Sequence, residues 1–378
     1  MGFFTSYLLA EILYSSLRIG DIIRSPREKI IWFHEEINSV GNFNFDPNIG
    51  YRVSTVPARL GVVTPEGELL SMGVSKGNNL GFPDNRDFNI ENEEDDLVRI
   101  AVLGDSFSAS QFTEKSWVEV AEQKINNEFK NKTVILMNFS LEGIGLGNWA
   151  SIVKNNILAK NIKINGIIFA VAEDDVDRKF MWKDDSFFDS ETGRRQLHIN
   201  YVNSWDPEKY QKEFRKEKKS AEPLEGWEVL SSEEIDKIET GKWKHTFSRD
   251  LKPYLMYELF YQLTFFINNF VDFNEQNSNN FEKKQLKIIE DLRDNCNKLD
   301  VPLLVIKMGS YLDKKREFAD LINASYIDDK KFQKTIKNET DFIIRHDGHW
   351  NQKGSNLFAS AIYFDILDWL KEEKIIFK

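Results

Sequence analysis

Apolar positions along this chain fall into short unbroken runs separated by stretches with helical spacing. Leu97–Leu103, Thr133–Phe139, Gly166–Ala172 and Val301–Lys307 are runs of Val, Ile, Leu and Phe with little alternation. That pattern suits a parallel strand covered on both faces. Between and after them, apolar residues recur every three or four positions. This spacing predicts helices over Lys115–Ile125, Trp149 to about Lys160, Phe281–Leu299 (with Leu286, Ile289 and Leu292 on one face) and Ser355 to about Leu370. Strand, loop and helix thus alternate, which argues for right-handed crossovers. The expected fold is α/β: a three-layer α/β/α sandwich with a central, mostly parallel sheet.

Three segments break the rhythm. Residues 1–40 read as helical. Within them, residues 3–23 are rich in Phe, Leu, Ile and Tyr, but Glu11, Arg18 and Asp21 interrupt the run. No stretch of ~20 apolar residues spans a bilayer there, and no basic region precedes it as in a secretory signal. An amphipathic helix docked on the body is expected, with a membrane-surface anchor as the alternative. Residues 41–96 are rich in Gly, Asn and Pro, with turn signals at Phe45–Tyr51 and Asn79–Asp84, and end in the acidic stretch Glu91–Asp96. They read as an irregular β-rich layer on the core domain. Residues 178–270 are charged, carry Trp182, Trp205, Trp227 and Trp243, and end in an aromatic helical pattern over 254–270. They read as an insertion whose tryptophans form its own core or stack on sugar rings. The α/β domain is then 97–177 together with 271–378.

Composition narrows the partners. Among 378 residues, 41% are hydrophobic, enough for a large core, and the net charge is −11. An acidic chain is a poor nucleic-acid binder, which needs basic surface to displace counterions. The single cysteine, Cys296, excludes an intrachain disulfide, and its helical neighbours Leu292 and Leu299 mark it as core. Nothing has the spacing of a zinc site, and no metal or organic cofactor is implied. With no clear leader or spanning run, the cytoplasm is the default compartment. A periplasmic or membrane-associated setting is the alternative, and the oligomeric state is open.

The first run ends abruptly in Gly104-Asp105-Ser106-Phe107. A serine just past a strand's carboxyl end is either a helix cap or a nucleophile. Near the carboxyl terminus stands Asp347-Gly348-His349-Trp350-Asn351. A histidine can take a proton from a serine while a nearby carboxylate holds its other ring N–H. Between these ends, Asn138-Phe139-Ser140-Leu141-Glu142-Gly143-Ile144-Gly145-Leu146-Gly147-Asn148 places three glycines at alternate positions. Their spacing suggests a backbone that comes close to something.

In order, spacing and strand context these blocks resemble those of the SGNH/GDSL hydrolase superfamily, over roughly residues 97–175 and 281–370. Asn79-Leu80-Gly81-Phe82 resembles a stretch that precedes the catalytic domain in many bacterial members. The resemblance implies an esterase in which Ser106 is the nucleophile, His349 the general base and Asp347 the acid that orients it. It makes the N–H groups of Ser106 and Gly143 two donors of an oxyanion hole. The family's more usual aspartate position, three before the histidine, holds His346 here. The acid-x-histidine-tryptophan form is similar to that of sugar O-acetylesterase-like and acetyltransferase-like members. The implied substrate is a small acyl ester or acylated carbohydrate, with hydrolysis or acyl transfer as the outcome.

One block departs from the family. Where members carry Gly-x-Asn-Asp, and the asparagine is the third oxyanion donor, this chain has Ala172-Glu173-Asp174-Asp175. An ionised carboxylate accepts and cannot donate. Three readings stand at this point: Asn148 or another amide replaces the donor, Asp174 is held protonated, or the fold serves as a weak enzyme or a binding protein.

Overall fold

The apolar runs become neighbouring strands of one sheet. The computed structural model describes residues 43–63, 69–88, 97–129, 132–172, 174–183, 187–188, 195–196, 199–210, 232–242, 281–309, 313–336, 341–344 and 348–377. The helical expectations for residues 1–40 and 254–270, and Trp227 and Trp243, lie outside the described residues.

Two antiparallel hairpins come first, β1 (Phe43–Asp46) with β2 (Gly50–Val53) and β3 (Ala58–Val63) with β4 (Leu69–Ser75). Then follow β5 (Leu97–Leu103), a four-residue helix α1 (Ser106–Ala109), α2 (Trp117–Glu128), β6 (Thr133–Asn138), α3 (Leu146–Ile152) and β7 (Gly166–Val171). A ribbon pairs β8 (Phe180–Lys183) with β11 (Ile199–Val202), and a two-residue ladder pairs β9 (Phe187–Phe188) with β10 (Arg195–Gln196). After α4 (Ser232–Glu239) come α5 (Lys283–Leu299), β12 (Leu303–Lys307), α6 (Asp313–Ile322), β13 (Ser325–Ile327), α7 (Lys330–Thr335) and α8 (Gln352–Glu372).

The central sheet has the order β13-β12-β7-β5-β6, and each pairing in it is parallel. The first strand of the sheet, β5, lies between the second and the third. The strand order therefore reverses at β5, and open α/β sheets bind ligands at such a switch point, outside the carboxyl ends. Ser106 stands three positions past the end of β5, after Gly104 and Asp105.

Alternate residues of the buried strands feed two cores. Ala101, Leu103, Ile167, Phe169 and Val305 meet Trp149 and Ile152 of α3, Leu292 and Cys296 of α5 and Phe318 of α6. Ile100, Val102, Ile168, Leu304 and Ile306 meet Trp117 and Ala121 of α2 and Phe358 and Ile362 of α8. This is the three-layer sandwich, with helices on both faces of the sheet.

Local chemistry sets the helix starts. Ser116 and Glu119 form a capping box on α2, and Asn351 caps α8 by accepting from Gly354 N. The helix expected from Trp149 begins earlier, at Leu146, because its first turn packs directly on the backbone before β8. A side chain at Gly147 would meet Lys179 O at 1.3 Å. Its end loosens into a π-helical stretch, Val153–Leu158, where buried Asn156 accepts from Arg52 Nη2 at 2.9 Å. Among the described residues, no helix is long and apolar enough to cross a membrane.

Candidate active site

Ser106 occupies the first turn of α1, capped by the buried Asp105, whose carboxylate accepts from Phe107 N at 3.0 Å. The N–H groups that open a helix have no intrahelical acceptor, and that of Ser106 is one of them. Trp117 Nε1 donates to Ser108 Oγ (3.0 Å) and Trp149 Nε1 to Gly104 O (3.4 Å). The Ser106 turn is thus tied to a helix on each face of the sheet.

His349 arrives on a closed loop. Ile343 and Trp350 form an antiparallel bridge, Ile344 N donates to His349 O (2.7 Å), and Asn351 N donates to Phe342 O (2.9 Å). Trp350 is buried against Phe107, Phe332 and Phe358. The result is a contact of 2.8 Å between His349 Nε2 and Ser106 Oγ. Phe107 and Phe112 flank the imidazole, with ring centroids 5.3 and 5.7 Å away. Asp347, expected to orient His349, lies outside the described residues, as do His346 and Glu173.

Asn138 ends β6 and sets the glycine loop against the Ser106 turn. Its Nδ2 donates to Ser108 O (2.9 Å), its Oδ1 accepts from Ser140 N (3.1 Å), and its own N–H donates to Asp84 (3.2 Å). The Asn79–Phe82 stretch supports this from outside. Asn79 and Phe88 exchange two hydrogen bonds, and Phe82 packs on Phe139 at 4.9 Å.

The acidic block is organised by Arg178. Its Nη2 and Nε donate to Asp174 Oδ1 (2.8 and 3.1 Å), and its Nη1 lies 2.9 Å from Asp175 Oδ1. The same Nη1 donates to Asp105 and to Ile144 O, both at 3.4 Å. One guanidinium therefore links the Ser106 turn, the glycine loop and the segment after β7. Burial pushes the Asp175 carboxyl well above the usual range, neighbouring Asp105 adds to this, and Arg178 and the Ala172 N–H offset part of it. Asp105 is likewise raised by burial, against the opposing pull of Arg178, the Phe107 N–H and His349. Burial works to lower the Arg178 value, but Asp175, Asp105 and Asp174 outweigh it and raise it. A lone arginine four positions after an aspartate gives no sequence signal of this role.

Of the two side chains considered as a third oxyanion donor, Asn148 is committed elsewhere. Asn148 is fully buried and spends its Nδ2 on Ile49 O (3.0 Å) and Met181 O (2.7 Å), while its Oδ1 accepts from Met181 N (2.7 Å). An amide has two donor hydrogens, and both are used. Asn148 is a structural residue joining α3, the β1–β2 turn and β8. Asp174 Oδ1 accepts from Arg178 Nη2 and Nε.

Beside Ser106, the residues Phe107, Ser110, Gln111, Phe112, His349 and Trp350 line a hollow of about 10 Å³, roughly the space one water needs. Trp205 is no open platform for a sugar. It stacks on Phe180 at 4.6 Å and on Tyr210 at 5.3 Å, and its Nε1 donates to Pro47 O. Trp182 is buried in the same cluster.

No protein-family model matches the sequence, and no curated protein does. Solved structures give distant likenesses. The psychrotrophic esterase EstA from Pseudoalteromonas sp. is 13% identical over 72% of this chain and 98% of its own, with a TM-score of 0.36. A two-domain esterase (CEX) active on acetylated mannans is 12% identical over 72% of this chain and 50% of its own (TM-score 0.36). A catalytic mutant of the acetylxylan esterase Axe2 from Geobacillus stearothermophilus is 10% identical over 71% and 94% (TM-score 0.36).

Proposed function

We propose that this protein is a serine esterase of the SGNH/GDSL type that removes or transfers a small O-acyl group, acetyl on a carbohydrate hydroxyl being the favoured case. The observation that carries the reading is the 2.8 Å contact between Ser106 Oγ and His349 Nε2 at the sheet's switch point.

In this reading Ser106 Oγ attacks the acyl carbonyl carbon as its proton passes to His349 Nε2. Asp347 is assigned the carboxylate that orients the imidazole. The carbonyl oxygen gains charge, and the N–H groups of Ser106 and Gly143 are assigned to receive it. Such donors act on charge that appears only in the transition state. The C–O bond to the alcohol then breaks, and His349 returns the proton to the leaving oxygen. Water, or a sugar hydroxyl in a transfer reaction, gives its proton to His349 and attacks the acyl carbon; the acyl–Oγ bond then breaks and His349 returns the proton to Ser106 Oγ. The narrow hollow beside Ser106 supports a small acyl group. The sugar rests on the resemblance of the Asp347-x-His349-Trp350 block.

A second reading, a binding protein on the same fold, is favoured by one observation: both donor hydrogens of the Asn148 amide are spent on Ile49 O and Met181 O. Hydrolysis of p-nitrophenyl acetate by the protein and by Ser106→Ala separates the two. A rate lost with Ser106 supports the esterase, and equal rates for both proteins support the binding protein.

A further inference from the structure

Gly143 sits between two tyrosine hydroxyls that come from outside the central sheet. On its amino side, Tyr51 Oη donates to Glu142 O at 2.5 Å, across 91 positions of sequence. On its carboxyl side, Tyr201 Oη donates to Gly143 O at 3.1 Å, across 58 positions. Tyr51 lies on β2, fully buried, edge-on to Phe43 at 5.3 Å. Tyr201 lies on β11, about half exposed at 53%. Both peptide planes that meet at the Gly143 Cα are thus held by a phenol.

The direction of the Gly143 N–H follows from this. It shares a trans peptide with the Glu142 carbonyl, and the two groups of a trans amide point in opposite directions. Fixing the carbonyl on Tyr51 fixes the N–H away from Tyr51. A hydrogen bond to the carbonyl also polarises the amide, which strengthens its N–H as a donor. Gly143 needs this support because its φ of +65° is one that glycine shares with many alternatives. Arg178 holds the next carbonyl, that of Ile144, beside Asp105. The loop is therefore pinned at three successive carbonyls next to the nucleophile turn. Tyr51 stays a neutral donor, since burial, with Glu142, Tyr201 and Asp105 nearby, keeps its phenol well above the ordinary value.

We propose that Tyr51 and Tyr201 are positioning residues that aim the Gly143 N–H at the oxyanion, so that the β1–β2 hairpin and the β8–β11 ribbon complete the site. This rests on the reading of Ser106 as nucleophile and Gly143 as donor.

The test compares the parent protein with Tyr51→Phe, Tyr201→Phe and Ser106→Ala. It measures kcat and KM on p-nitrophenyl acetate, the pH profile of kcat, thermal stability, and the rate at which a p-nitrophenyl alkylphosphonate modifies Ser106. The phosphonyl oxygen develops charge where the ester's oxyanion would. Loss of an oxyanion donor costs about 10²–10³-fold, so loss of its aim in Tyr51→Phe is expected to cost on the order of 10-fold in kcat. KM and the pH profile should hold, and phosphonylation should slow by the same factor. Tyr201→Phe, which removes a longer and more exposed bond, should show a smaller loss with the same pattern. A purely structural role would lower thermal stability and leave these rates alone. If Tyr51→Phe fails to fold, the surface change Tyr201→Phe decides alone. Unchanged kcat and phosphonylation in either folded variant, with Ser106→Ala inactive, overturn the clamp and leave the esterase standing. A Ser106→Ala protein as active as the parent overturns the esterase and the clamp together.

Discussion

Ser106 Oγ and His349 Nε2 stand 2.8 Å apart although 243 positions separate them. The serine is fixed by the end of β5, and the histidine by a loop closed between Phe342 and Asn351. Neither segment can move without carrying its half of the pair out of reach. Groups that act as one unit lose activity non-additively. His349→Ala is therefore expected to lose at least about 10³-fold in kcat, and Ser106→Ala/His349→Ala to lose no more than Ser106→Ala alone. Steady-state rates on p-nitrophenyl acetate for the three variants check this. Multiplying losses would show two residues working separately.

Gly104 leaves no room for a side chain. An added Cβ would stand 2.4 Å from Ser108 Oγ and 2.8 Å from its Cβ. Relief requires α1 to shift, which displaces Ser106 and strains the Trp117–Ser108 bond. Gly104→Ala is expected to lose about 10²-fold in kcat, as a misplacement near 1 Å does, with about 1–3 kcal/mol of stability. Kinetics and urea unfolding of the variant measure the two effects. Parent-like kcat would mean that the turn absorbs the methyl elsewhere.

Legibility from sequence followed the range of the interaction. β5, β6, β7 and β12 announce themselves because helices cover both faces of the sheet they form, so most of their residues must be apolar. β13 escapes notice because it is three residues long and only half covered. Ser106 and His349 are legible because each sits in a block whose neighbours have local duties. Asp105 caps α1, Trp350 fills a hollow between α1, α7 and α8, and Asn351 caps α8. Asn148 is the converse case: as an amide near the missing third-block asparagine it offers itself as an oxyanion donor, whereas in the fold its amide serves the backbone of Ile49 and Met181. Tyr51, Arg178 and Tyr201 act across 91, 73 and 58 positions through single hydroxyls or one guanidinium. No periodicity or cap surrounds such residues, so only the folded chain shows what they touch.

Arg178 compensates the buried carboxylates of Asp105 and Asp175, and its side chain is itself only 15% exposed. Removing one partner of a buried ion pair is expected to cost about 3 kcal/mol or more, because the charge left behind has no counterion. In Arg178→Ala those carboxyls, already raised by burial, rise further. A carboxyl raised in the folded state contributes stability that is present at low pH and lost as pH rises through its folded value. The deficit of Arg178→Ala against the parent should thus be small in acid and grow toward neutral pH. Thermal melts of both proteins from pH 4 to 8 test this, and a deficit that is constant with pH would refute it.

Cys296 gives the opposite end of the pH range. It is buried on α5, and burial pushes its thiol from 9.0 up to about 12. Above pH 9 the unfolded chain sheds this proton while the folded chain keeps it. The stability tied to the thiol is therefore fully present below pH 9 and is lost as pH rises toward 12. Within that window each pH unit removes at most about 1.4 kcal/mol. Tyr51, buried and raised above 10.0, adds a loss of the same sign above that value. Cys296→Ala leaves a small cavity, which costs a constant amount at every pH, but it has no proton to lose. Urea unfolding from pH 8 to 10.5 should show the parent falling more steeply than Cys296→Ala, with the two curves converging as pH rises. The native thiol should resist iodoacetamide at pH 8 and react once the chain is unfolded in urea. Parallel pH curves, or rapid alkylation of the folded protein, would show that Cys296 is reached by water and that the packing between α5 and the sheet is looser than its burial indicates.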